Sequence, residues 1–235
     1  MKLAIMQPYF FPYIGYYQLI SLVDKFIIYD DVAFIKNGWI NRNRILLNKS
    51  EHFITLSLSG ASSHKLINET YIQTNASIQK KILKTIHQEY SKAPYFNETY
   101  KLVEEVIDLI NIEKNISTIA LKSLKIVTDH LKFETEFELS SEKYSHTKGI
   151  GREERLFKII EENKADEYIN LPGGNTLYSK EEFLKRGINL SFLEPGKVEY
   201  KQFSSPYIPN LSIIDVLMFN GKDDTLKLIS RCTKL

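Results

Sequence analysis

The chain has 235 residues, 43% hydrophobic and 26% charged, and 31 Lys and Arg against 29 Asp and Glu leave a formal net charge of +2. That is enough apolar material for one sizeable core, and positive and negative residues are interspersed, so composition gives no case for nucleic-acid binding. A lone cysteine, Cys232, excludes an intrachain disulfide and a multi-cysteine metal cluster and fits a reducing compartment.

The opening MKLAIMQP breaks at Pro8, too early for a secretory signal, and no apolar run approaches the roughly 20 residues of a membrane span. The expectation is a cytoplasmic protein without a membrane span. Residues 3–6 (LAIM) read as a short strand, 14–23 (IGYYQLISLV) have helical spacing, and 26–30 (FIIYD) read as a second strand. Strand, helix and strand in such a short stretch make a βαβ unit whose strands are parallel and buried on both faces. HFITLSLSG at 52–60 predicts a third strand and LINETYIQT at 66–74 a poorer fourth.

From 75 to about 131 the periodicity becomes helical, in SIQKKILKTIHQEY, FNETYKLVEEVIDLI and ISTIALKSLKIVTDHL. FETEFELSS at 133–141 alternates like a strand, and EERLFKIIEENKA at 153–165 is an amphipathic helix. YIN at 168–170 enters LPGGN, and a helix at 180–186 follows, with Ser179 and Glu182 in capping-box spacing. LSFLE at 190–194 is another strand, and LSIIDVLMFNG at 211–221 is a helix ended by its glycine. Strands alternating with helices at both ends predict a single α/β domain over 1–235, built as a three-layer, mostly parallel sheet with a helical middle segment.

Open parallel sheets bind ligands beyond the carboxyl ends of their strands, which points to QPYFFPYIG. Gln7 and Tyr9 lie just past strand one, Tyr13 follows, and Gly15 permits close approach of a ligand or of packed backbone. Phe10, Phe11, Tyr16 and Tyr17 serve equally well as a core edge. Strand two ends in Tyr29-Asp30-Asp31, adjacent acids suited to a sugar hydroxyl, an amine or a metal. Two carboxylates in one site push one pKa up and create an acid or base, but strand alternation sends these two to opposite sides unless a turn intervenes.

GWINRNRI at 38–45 gathers Trp39, Asn41, Arg42, Asn43 and Arg44. The two arginines share a face if the segment is extended, and a guanidinium offers a fixed fork to phosphate or carboxylate. Trp39 fits stacking on a base or sugar, or plain packing. Gly173 and Gly174 in LPGGN either open backbone donors toward an anion or make a tight turn, without the GK[ST] ending of a Walker motif. Arg152, Glu153 and Arg155 begin the preceding helix, where anion binding and surface ion pairing look alike. The five histidines are widely spaced with no HExxH, and GxSxG is absent, so no metal centre or nucleophile elbow is predicted.

The blocks QPYFFPYIGYYQLI, VDKFIIYDD, GWINRNRI, LPGGNTLYSKEEFLKRGINLSFLEP and LSIIDVLMFNG resemble the WbqC-like protein family over nearly the whole chain. That resemblance implies a context in bacterial surface-polysaccharide, lipopolysaccharide and O-antigen biosynthesis rather than a defined reaction. More distantly, the first crossing is similar to the opening of adenylyl- or cytidylyltransferase-like α/β proteins such as pantoate–β-alanine ligase, which implies a Rossmann-like nucleotidyltransferase topology. Their HxGH stands here as Tyr13-Ile14-Gly15-Tyr16, with the glycine kept and both histidines replaced. Tyrosine donates hydrogen bonds but supplies no imidazolium charge, so Arg42, Arg44, Arg152 or Arg155 would have to meet the phosphates.

The expected function is therefore a transferase or ligase modifying an activated sugar. Asp30, Asp31 and Tyr13 are the candidate catalytic groups, Gln7 and Tyr16 orient substrate, and Arg42 and Arg44 hold a nucleotide-sugar or other small anionic substrate. The donor, nucleotide or acyl, is open, as is a role for Mg²⁺. The alternative is a non-catalytic protein of the same pathway that binds a nucleotide-sugar or recruits an enzyme.

Overall fold

The computed structural model describes residues 1–73, 75–174 and 178–235. In chain order the strands are β1 (Lys2–Met6), β2 (Lys25–Ile28), β3 (Arg42–Leu47), β4 (Ser50–Thr55), β5 (Leu58–Ser59), β6 (Tyr71–Ile72), β7 (Glu136–Leu139), β8 (Glu167–Asn170), β9 (Asn189–Glu194) and β10 (Thr233–Lys234). The helices are α1 (Ile14–Ser21), α2 (Ala76–Tyr90), α3 (Phe96–Leu109), α4 (Ile116–Leu131), α5 (Ser140–Lys143), α6 (Arg152–Glu162), α7 (Lys180–Lys185) and α8 (Ile213–Ile229).

The architecture is a mixed α/β fold around a central sheet ordered β10-β9-β8-β1-β2-β7. β7, β2, β1, β8 and β9 run parallel, and β10 closes one edge antiparallel to β9. The period of two along each strand divides the core. Ala4, Phe26 and Ile28 join the larger apolar cluster with α1, α4 and α8, while Leu3, Ile5, Ile27 and Leu190 face α6 and α7. Helices thus cover both faces.

The caps explain where the middle helices begin. Asn75 accepts the Ser77 N–H ahead of α2, and Asn115 accepts those of Ser117 and Thr118 ahead of α4. Several sequence expectations change in detail. The strand expected at 52–60 is two, β4 and β5, and β4 belongs to a hairpin with β3, which its run of polar residues conceals. The segment 66–74 holds a 3-10 turn at Ile67–Glu69 and only two residues of strand, with Thr74 outside the described residues. Ser179 makes no capping bond to α7, so its spacing from Glu182 is not a capping box. Gly221 does not end α8: its φ of 59° and ψ of −162° break the helix, which then resumes.

Numbered along the chain, the five parallel strands lie in the order 3-2-1-4-5, so the winding reverses between β1 and β8. At such a reversal the loops leaving the two strands part to opposite sides, opening a crevice beyond their carboxyl ends. No described helix is long and apolar enough to cross a membrane.

Candidate functional site

A cleft of about 1400 Å³ occupies that crevice. The loop after β1 supplies Gln7, Tyr9, Tyr13 and Gly15, and the end of β2 supplies Tyr29 and Asp31. Lys148, Arg152 and Arg155 enter from the start of α6, and Gly173 and Gly174 from the turn after β8. Tyr200 and Tyr207 come from the long segment between β9 and α8.

Among these cations Arg155 is held on several sides. Its Nη2 donates to Asp31 Oδ2 at 2.6 Å, its Nε donates to Thr147 Oγ1 at 2.9 Å, and its guanidinium lies 4.8 Å over the Tyr29 ring. The residue is only 6% exposed. Lys148 Nζ stands 3.7 Å from the same Asp31 oxygen. Asp31 thus serves as the buried counter-ion that fixes an arginine fork at the cleft floor. Arg152 opens α6 behind Gly151, which offers no side-chain cap, so the first-turn N–H groups of the helix have no capping acceptor from it. In the turn after β8, a Cβ on Gly173 would meet nothing within 4 Å, whereas one on Gly174 would strike the Asn170 amide at 2.8 Å.

The aromatic loop after β1 divides its labour. Phe10, Phe11, Tyr16 and Tyr17 are fully buried, and burial of each phenylalanine contributes roughly 1.5–3 kcal/mol. The backbone is pinned as well: Phe10 N donates to Trp39 O at 3.1 Å, Phe11 N to Ser123 Oγ at 3.2 Å, and Ser212 Oγ to Phe11 O at 2.7 Å. Phe11 takes a φ of 41°, turning the chain so that Gln7, Tyr9 and Tyr13 face the cleft. Tyr16 donates to Gln7 O from within the core. Burial raises the pKa of Tyr9 and of Tyr13, the latter further through Tyr9, which keeps both phenols neutral.

Asp30, Tyr16, Asn41 and Arg42, all candidates from the sequence, stand outside the cleft lining. Asp30 is buried and accepts from Ser117 Oγ at 3.0 Å, Ser141 N at 2.9 Å and Ser141 Oγ at 2.8 Å, clasping α4 and α5 to the end of β2. Asn41 Nδ2 donates to Leu56 O at 2.8 Å. Arg42 donates to the carbonyls of Gly38 and Asn37 and lies over Phe53. Arg44 does line the cleft, but its Nη1 meets both Glu51 oxygens at 2.9 Å and its Nη2 donates to Asn210 O at 3.1 Å. Trp39, also in the lining, stacks on Phe53 at 6.0 Å and carries the Arg44 guanidinium at 5.4 Å. The two arginines therefore do not form one clamp: backbone carbonyls hold Arg42, and Glu51 and the Asn210 carbonyl hold the two terminal nitrogens of Arg44, whose Nε is buried without a partner among the described residues.

Sequence reasoning passed over Lys148, although KGIGR sets two cations around two glycines, a pattern that could have flagged it. It also passed over Tyr200 and Asp215, which no local pattern marks. Asp215, buried in the first turn of α8, accepts from Tyr200 and Tyr90 at 2.7 Å each and from Gln202 at 3.1 Å. Burial outweighs those donors and pushes its pKa up to about 6. Among the described residues no group of three His, Cys, Asp or Glu side chains could hold a metal ion.

The chain is 29% identical over 224 residues to an uncharacterised protein of Mycobacterium tuberculosis, Rv1507c, covering 94% of this chain and 95% of that protein. No solved structure matches it significantly. Residues 7–227 match the WbqC-like protein family, to which this chain belongs.

Proposed function

We propose that the cleft binds an activated sugar by its phosphate and that the protein is a transferase or ligase acting on that sugar in bacterial surface-polysaccharide biosynthesis. The observation that carries the reading is the preorganised Arg155, with Lys148, Arg152 and the open Gly173 turn lining the same cleft. A fixed guanidinium, two further cations and unadorned backbone suit a phosphate or diphosphate. The pathway is the one implied by the family resemblance.

The strand order supports a Rossmann-like nucleotidyltransferase topology, in which a nucleotide's phosphates lie at the reversal. In this reading the charge that HxGH histidines would bring comes instead from Lys148, Arg152 and Arg155. Tyr13, kept neutral by burial, donates a hydrogen bond to substrate and does not act as a base at neutral pH. Asp31 acts through Arg155 as its positioning partner.

A second reading, binding without turnover, is favoured by one observation. Asp31 is the one carboxylate among the described residues lining the cleft, and it is already paired. Metabolite profiling of a deletion strain, followed by incubation of the purified protein with the accumulated sugar nucleotide, separates the two. Conversion supports the transferase or ligase; saturable binding without conversion supports the binding protein. Both readings fall if no sugar nucleotide, nucleoside diphosphate or pyrophosphate binds and Arg155→Lys leaves glycan assembly unaltered.

A further inference from the structure

Two sets of side chains of different chemistry line the cleft. Lys148, Arg152 and Arg155 are cationic. The loop after β1 adds an amide and two phenols. We infer that Gln7, Tyr9 and Tyr13 form a subsite for the hydroxyl-bearing sugar ring, which orients the substrate with its anionic part toward Arg155. This inference rests on the activated-sugar reading and deepens it.

Three observations carry it. First, the side chains of Gln7, Tyr9 and Tyr13 make no hydrogen bond to other described residues, yet all three line the cleft and none has its polar atoms sealed from solvent. An amide offers two donors and an acceptor, and each phenol offers one donor with acceptor capacity. That set matches neighbouring sugar hydroxyls, which donate and accept, and it has no charge to match a phosphate.

Second, the loop backbone is held by Trp39, Ser123 and Ser212 and anchored by two buried phenylalanines, so these polar groups are presented without a large ordering cost. Third, Tyr13 has a seat made for it. A Cβ built on Gly15 would lie 2.4 Å from Tyr13 Cε2 and 2.9 Å from its hydroxyl oxygen. The phenol therefore lies across the first turn of α1 only because residue 15 has no side chain. Gly15 has no positive φ, so backbone conformation gives no separate reason for a glycine there. Its role is to fix where the Tyr13 hydroxyl stands.

The test compares pairs of probes that differ by one sugar: UDP with UDP-glucose, and dTDP with dTDP-glucose, by calorimetric titration. The wild-type protein should bind the sugar-bearing member more tightly. Tyr13→Phe should weaken that member by up to about tenfold, the net worth of one hydrogen bond, and leave the bare diphosphate unchanged. Gly15→Ala, which displaces the Tyr13 ring, should do the same while Gly15→Ala and Tyr13→Phe retain native circular dichroism. Lys148→Ala should weaken both members of a pair alike.

Equal loss of both members in Tyr13→Phe would assign the loop to the nucleoside and overturn the subsite while leaving the activated-sugar reading standing. So would wild-type protein that gains nothing from the sugar. If the wild-type protein binds none of the four probes nor inorganic pyrophosphate, the activated-sugar reading itself fails, and the subsite with it.

Discussion

The Arg155 guanidinium meets the Asp31 carboxylate at 2.6 Å beneath the cleft, where the Asp31 side chain is wholly shielded from water. Breaking a buried pair strands a charge that water cannot reach. Asp31→Ala should therefore cost about 3 kcal/mol in urea unfolding. Arg155→Lys should cost less, because a cation remains, but it lacks the fork that serves Thr147 and Asp31 together. A loss below about 0.5 kcal/mol in Asp31→Ala would mean that the pair is solvated and not part of a rigid floor.

Asp215 sets a pH dependence of stability. Its pKa rises from 3.8 to about 6 on folding, because burial outweighs the hydroxyls of Tyr90 and Tyr200 and the Gln202 amide, with Glu89 adding repulsion. A raised carboxyl binds its proton more tightly in the folded state. Its stabilising contribution is full below about pH 4 and is lost as the pH rises through about 6, a change of roughly 3 kcal/mol. Unfolding of Asp215→Asn should lack this component when measured at pH 4.5 and pH 7.5. An unchanged slope in the variant would place the proton elsewhere.

Gly173 and Gly174 separate a ligand's requirement from the fold's. Gly173 has open space around its missing Cβ and no positive φ, so Gly173→Ala should leave the melting temperature unchanged or slightly raised. Its affinity for pyrophosphate should nevertheless fall. Gly174→Ala meets the Asn170 amide and the Phe192 ring and should lower the melting temperature directly. Normal pyrophosphate binding by Gly173→Ala would reduce that turn to simple chain reversal.

Gly221 allows α8 to change direction. At φ 59° and ψ −162° a non-glycine residue is strained, and a Cβ there would stand 2.6 Å from the Tyr95 ring. Gly221→Ala should cost about 2 kcal/mol, lowering the melting temperature by about 6 °C. Calorimetry would show it, and an unshifted transition would mean that the helix simply straightens.

Much of the scaffold was legible because its signals are local. LAIM, FIIYD, YIN and LSFLE became β1, β2, β8 and β9, and the middle periodicities became α2, α3 and α4. The hairpin strand β3 escaped notice because polar Arg42, Asn43 and Arg44 mask a strand that pairs across to Thr55, Ile54 and Phe53. The positions of Arg42 and Asp30 were not legible either. A guanidinium's partner is chosen by tertiary approach, and Asp30 finds its serines 87 and 111 residues away along the chain. For the same reason Tyr200 and Asp215 carry no sequence signature, although one lines the cleft and the other anchors it.

The segment 195–211 contains neither strand nor helix, yet it forms one side of the cleft. The opposite side is continuous with the parallel sheet, while this one is fastened by side chains: Arg44 to the Asn210 carbonyl, and Tyr200 and Gln202 to Asp215. Mechanically the site has one stiff jaw and one compliant jaw. Exchanging a few of those tethers would change the width of the cleft without redrawing the sheet.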